Sequence, residues 1–275
     1  MIDERIESID FEEINYKIAE VTEYITEDDY DGADEIIDEL LEETEDIYKE
    51  DEKERFFCFD SPIQFYLYDM KLGADKMIKR SEIDYRTFYL SKAHISLAYE
   101  RYEETEEYLK KALYWNPVDT SVFFLLAKLY VKTNETTKLN IVLKAVRSYI
   151  LDRISHAKYF AYMGEFYRIK GDNKTALSLY YISQSLYETN VAESGIKEIL
   201  EENEITNTPV IEELNEILKK DELIPSLDGE VLGMIYDLSF EMQKNLNMKN
   251  AMYCLDILYE LTGDEKYLNE KEYLE

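Results

Sequence analysis

Apolar residues recur three and four positions apart along much of this chain, with charged residues on the opposite faces, the period of amphipathic helices. The clearest run is FAYMGEFYRIKGDNKTALSLYYIS, Phe160 to Ser183. Phe160, Met163, Gly164 and Tyr167 share one helical face, Gly171 and Asp172 interrupt it, and Ala176, Tyr180 and Ser183 begin a second. The pattern predicts a helix, a tight turn and an antiparallel helix. Gly171 is placed to end the first helix in a left-handed conformation, with Asp172 capping the next. Gly164 lies mid-helix at a cost of about 1 kcal/mol relative to Ala. Its missing side chain implies that the paired helix approaches closely there.

The same pattern returns along the chain. Phe123, Leu126, Ala127 and Tyr130 precede a turn at Asn134, followed by Leu139, Leu143 and Val146. An earlier copy runs through Tyr89, Ala93, Tyr102, Leu109 and Ala112 to Pro117, with Ser96 and Thr105 at two places where an apolar or small residue is expected. A C-terminal copy reads Ile235, Leu238, Ser239, Met242, Ala251, Leu255 and Leu258, and a degenerate one near the start keeps Tyr24, Tyr30, Ala33, Ile37 and Leu40. Between Glu193 and Glu230 the pattern fails, yet helix is still expected, with Thr208 as an N-cap and Pro209 at the first helical position.

On these residues the chain resembles the tetratricopeptide repeat family, whose unit of about 34 residues is two antiparallel helices. Ser183 and Glu188 stand where the family usually has Ala and Pro. The resemblance implies an all-α fold, a right-handed superhelical solenoid of helix pairs with a concave inner surface. It divides the chain into an acidic helical hairpin over 1–55, serving as a degenerate repeat or cap, a repeat array over 56–190, and a helical connector with a degenerate repeat over 191–275. It also implies a peptide groove on the first helix of each pair, one residue away from the core face. The groove residues so placed are Phe124, Lys128, Lys132, Lys158, Arg168, Tyr236, Phe240 and Lys244, with Glu165 the one acid of the stripe.

Composition supports the helical reading, since the 275 residues include only 8 glycines and 4 prolines. Charge changes the picture more. The formal net charge is −30, which argues against a phosphate backbone as ligand, because such binding depends on clustered Lys and Arg. The distribution is uneven: residues 1–60 carry 25 acids and 5 bases, 61–190 carry 15 and 19, and 191–275 carry 21 and 7. The basic middle makes the implied groove locally positive, suited to an extended peptide with acidic residues or a free C-terminal carboxylate.

Catalytic chemistry finds no footing. The only histidines, His94 and His156, fall on different predicted helices, and Cys58 and Cys254 sit in apolar surroundings as expected buried thiols. No zinc spacing or phosphate loop is present, and no cofactor is implied. Glu27, Asp29, Asp31, Gly32, Glu35 and Asp38 approach the spacing of a calcium loop. Asp34 occupies an expected apolar place, and the same residues read better as a repeat turn and helix. The acidic N-terminus and the lack of a long apolar run predict a cytoplasmic protein with no membrane contact. The expected role is non-catalytic protein or peptide binding, as a scaffold or adaptor. The alternative is a signalling-peptide receptor or regulator on the same fold.

Overall fold

A computed structural model describes residues 4–202 and 228–274. The chain is mostly helical and divides into two compact units, residues 1–129 and 130–275. The first unit opens with a short 3₁₀ turn, Glu4–Ser8, and the hairpin α1 (Phe11–Thr26) and α2 (Tyr30–Thr44). After a small β1 (Glu54–Phe57), α3 (Pro62–Leu72) and β2 (Met77–Arg80) comes the hairpin α4 (Tyr85–Ala98) and α5 (Tyr102–Trp115). Helix α6 (Thr120–Lys132) carries the division between the units. The second unit continues with α7 (Thr136–Val146), α8 (Arg153–Ile169), α9 (Asn173–Leu186) and α10 (Asn190–Glu202). Helices α11 (Gly229–Lys244), α12 (Met248–Thr262) and α13 (Lys266–Glu272) complete it. Thr208 and Pro209 lie outside the described residues.

One turn geometry recurs five times. Asp28, Glu100, Asn134, Gly171 and Leu246 all have positive φ, from 57° to 80°. Each ends a helix in a Schellman motif: the next residue's N–H reaches back to the carbonyl five residues earlier, as in Asp29 to Tyr24 (2.9 Å) and Asp172 to Tyr167 (2.9 Å). Arg101, Glu135 and Asn247 repeat this bond at 2.8 Å onto Ser96, Tyr130 and Met242. The residue making the bond is also the N-cap of the following helix. Asp29, Asp172 and Asn247 complete the cap with their side chains, whereas Arg101 and Glu135 do not. Glu100 and Asn134 stand 34 positions apart and Asn134 and Gly171 37, close to the spacing read from the sequence.

Packing resolves the two irregular places in the earlier copy. Ser96 and Thr105 are both buried and hydrogen-bond each other at 2.9 Å, so a polar pair fills the gap between α4 and α5. In α8 and α9, Gly164 is filled by the Tyr180 ring: a Cβ on Gly164 would lie 2.4 Å from Tyr180 Cε1. Gly195 on α10 meets the other side of that ring, at 2.3 Å from Cζ. Helix α10, in the stretch where the repeat pattern fails, therefore packs against α8 and α9. Ala161, Ala176, Leu177, Ala192 and Ile199 surround the same tyrosine.

The departure from an all-helical reading is the β1–α3–β2 unit, which falls where the repeat array was expected to begin. Its strands are parallel, with Glu54 opposite Met77 and Phe57 opposite Arg80. Parallel strands need a crossover of a dozen residues or more, and α3 supplies it. Phe57 stacks on Phe59 at 4.9 Å and packs against Tyr68 at 4.7 Å. Tyr48, Phe56, Tyr85 and Trp115 continue the aromatic core, and the Tyr85 hydroxyl donates to the Thr44 carbonyl at 2.5 Å.

Candidate functional site

The eight residues assigned to the groove meet different fates. Lys128 and Lys132 are exposed on the last turns of α6, Lys158 is exposed on the first turns of α8, and Lys244 is exposed at the end of α11. Lys128, Lys158 and Lys244 make no ion pair among the described residues. These ammonium groups remain available to an anionic partner.

Phe124 is a correction: it is only 5% exposed and belongs to the core of the first unit. Every side chain from Val122 to Tyr130 except Lys128 is buried, so α6 is apolar around most of its circumference and Phe124 is covered although it lies off the core stripe.

Arg168 is a second correction. Its guanidinium donates to Glu165 Oε2 from Nη2 at 2.6 Å and from Nε at 3.2 Å, and Nη1 lies 3.2 Å from Glu198 of α10. Glu165 is itself buried and accepts the Tyr180 hydroxyl at 2.6 Å on its other oxygen. Burial first, then the Glu165 charge, pushes the Tyr180 phenol far above its ordinary range. The network is a packed connection among α8, α9 and α10. The acid read as the stripe's lone negative charge is the partner that holds its arginine.

Tyr236 and Phe240 do come together, edge to face at 4.9 Å. Phe240 is 42% exposed. Tyr236 is partly covered by the chain itself, because its hydroxyl donates to Glu270 of α13 at 2.9 Å and its ring packs on Tyr267 at 5.8 Å. Tyr267 and Glu270 lie beyond the last helical pair, so the repeat pattern gave no sign of them.

His94 is exposed on α4, yet desolvation by the surrounding protein lowers its pKa, and the nearby Lys128 charge acts in the same direction. His156 is also lowered by burial, with Asp152 opposing, and packs on Phe160 at 4.9 Å. No nucleophile is placed beside either ring by the described hydrogen bonds. Cys58 and Cys254 are free and buried, and burial raises their thiols to about 12 and about 11.

The calcium-like run adopts the repeat geometry. Asp29 is the N-cap of α2, and Asp31 through Asp38 lie within the helix, where carboxylates point outward instead of wrapping an ion. Lys92 of α4, almost fully buried, takes Asp34 at 2.7 Å and Asp38 at 2.5 Å, and Tyr99 donates to Asp31. Among the described residues, no group of three or more His, Cys, Asp or Glu is arranged to hold a metal ion.

No protein-family model matches this chain, and no curated protein matches it in sequence. None of its described helices is long and apolar enough to cross a membrane.

Proposed function

We propose that this chain is a non-catalytic binding protein of the tetratricopeptide type, an adaptor or scaffold whose helix pairs stack into a right-handed superhelical solenoid. The observation that carries the proposal is the fivefold recurrence of one hairpin turn, in which the left-handed residue and the following N-cap keep the same geometry. A chain that repeats a helix pair in this way stacks pairs by their apolar faces and leaves the first helices to present an inner surface. Exposed Lys132, Lys158 and Lys244 on first helices of the second unit give that surface basic contacts in a chain of net charge −30. Phe240 adds an apolar one.

The ligand class is an extended protein segment bearing carboxylates or a free C-terminus. Charge-assisted hydrogen bonds are worth about 1.5–3 kcal/mol each, so loss of three lysine contacts removes most of the affinity of such a segment. Lys132→Glu, Lys158→Glu and Lys244→Glu together are expected to abolish binding of an acidic peptide isolated with the protein. Isothermal titration of wild type and triple variant measures this, and equal affinity would sink the proposal.

A further inference from the structure

The β1–α3–β2 unit takes no part in the lysine surface just described. Met77 N–H donates to Lys53 O at 2.8 Å and Ser81 N–H to Phe57 O at 2.9 Å. Alternation along the strand therefore turns the peptide groups of Met77, Lys79 and Ser81 toward β1, and those of Ile78 and Arg80 away from it. The sheet has two strands, and no described group bonds to the outward peptide groups of Ile78 and Arg80. Just past β1, by contrast, the chain is tied to the end of α5. Cys58 N–H donates to Trp115 O at 2.8 Å, and Asn116 Nδ2 donates to Cys58 O at 3.2 Å. The open edge is the outer side of β2.

A cavity of about 220 Å³ lies at the carboxyl ends of the strands, with Ile78, Lys79 and Arg80 of β2 in its lining. Phe59, Pro62, Phe65 and Ile78 give it an apolar lining, and Arg80 and Lys79 stand at it. The segment from Lys71 to Arg80 has four bases and one acid, a local reversal in an acidic chain. Lys76 is taken by Glu50 at 2.6 Å and Lys79 by Glu54 at 2.5 Å. Arg80 is exposed and makes no ion pair among the described residues. The cavity's one acid, Asp60, is paired with Arg86 at 2.6 Å, which offsets its charge.

We propose that the outer edge of β2 receives an extended acidic segment of another protein as a third strand, bonded to the peptide groups of Ile78 and Arg80. An apolar side chain of the segment fills the cavity and a carboxylate meets Arg80. Main-chain pairing supplies affinity and the alternate side chains supply selectivity in this mode. A second copy of the chain is the poorer occupant on charge. Two-fold antiparallel pairing of β2 with itself sets Lys79 against Lys79, Arg80 against Arg80, or Arg80 against Lys76, according to register, and like charges directly opposite destabilise a strand pair.

The inference is independent of the helical lysines, and its test separates the two. A displayed library of random ten-residue peptides is selected on the intact protein, and selected peptides are measured by fluorescence anisotropy. Binders are expected to alternate Asp or Glu with β-branched or aromatic residues. Methylating alternate main-chain nitrogens of such a peptide should weaken it by about ten-fold or more, the equivalent of one or two lost hydrogen bonds. Arg80→Pro removes one outward N–H and the free charge while sparing the bonds to β1, and it should weaken binding similarly. Lys158→Glu should leave binding unchanged. No enriched peptide, or enriched peptides indifferent to both N-methylation and Arg80→Pro, overturns the proposal. So does a concentration-dependent dimer, seen by sedimentation, that Arg80→Pro dissolves.

Discussion

Tyr180 shows how one side chain determines its neighbours. With Gly164 on one side of the ring and Gly195 on the other, three helices meet at distances that leave no room for a methyl group. Gly164→Ala should cost about 1–3 kcal/mol by overpacking, seen as a lower urea midpoint. The cost should shrink when Tyr180→Leu is present, because the clash then has no ring to meet; full additivity in that double-mutant cycle would refute the contact. The hydroxyl of the same residue shares its acceptor, Glu165, with Arg168. Glu165 accepts from both, and a buried carboxylate needs both donors. Sequence spacing places Glu165 and Arg168 three apart on one helical face, a pairing distance. That signal was present, but a repeat register assigns residues to faces and is silent about depth, which is also why Phe124 was misplaced. Lys128, Lys132, Lys158 and Lys244 are exposed as their place off the core stripe implies, whereas Lys92 of α4 is buried against Asp34 and Asp38, which spacing alone did not signal.

At the scale of elements, the turns were readable only where their residue was permissive. Gly171 and Asn134 announce a left-handed position; Asp28, Glu100 and Leu246 adopt the same φ without advertising it. Leu246 is 82% exposed and has φ 57°. Leu246→Gly should therefore stabilise the protein by roughly 1 kcal/mol, the penalty for a side chain in that region. Gly171→Val, at φ 80° with open space around its Cα, should destabilise by about 1–3 kcal/mol through backbone conformation alone. Thermal unfolding of the two variants checks both signs, and a drop for Leu246→Gly would contradict this account. The strands escaped notice for a different reason. ERFF and MIKR are four residues each, too short for alternation to register, and a short apolar run reads equally as buried helix. Their pairing is set by the crossover, and α3 has the composition of any other helix here.

For the whole molecule, charge is the dominant long-range term. The net of −30 includes −20 from residues 1–60, and many acids there, such as Glu39 and Glu43 near Lys17, outnumber the bases they face. Individual exposed ion pairs contribute about 0–1 kcal/mol, so screening them costs less than screening the general repulsion gains. The melting temperature should rise between roughly 10 and 150 mM NaCl, as the Debye length falls from about 30 to about 8 Å; a flat or falling curve would show that local pairs outweigh net repulsion. The five shared turns carry a further consequence. Because one residue closes a helix and opens the next, there is no spare position between them. A single inserted residue there acts as a frameshift for the fold, rotating the following helix's apolar stripe by about 100° out of phase with its partner. Length can change cheaply in the approaches to β1 and β2, but within a hairpin the chain can grow or shrink only by whole pairs.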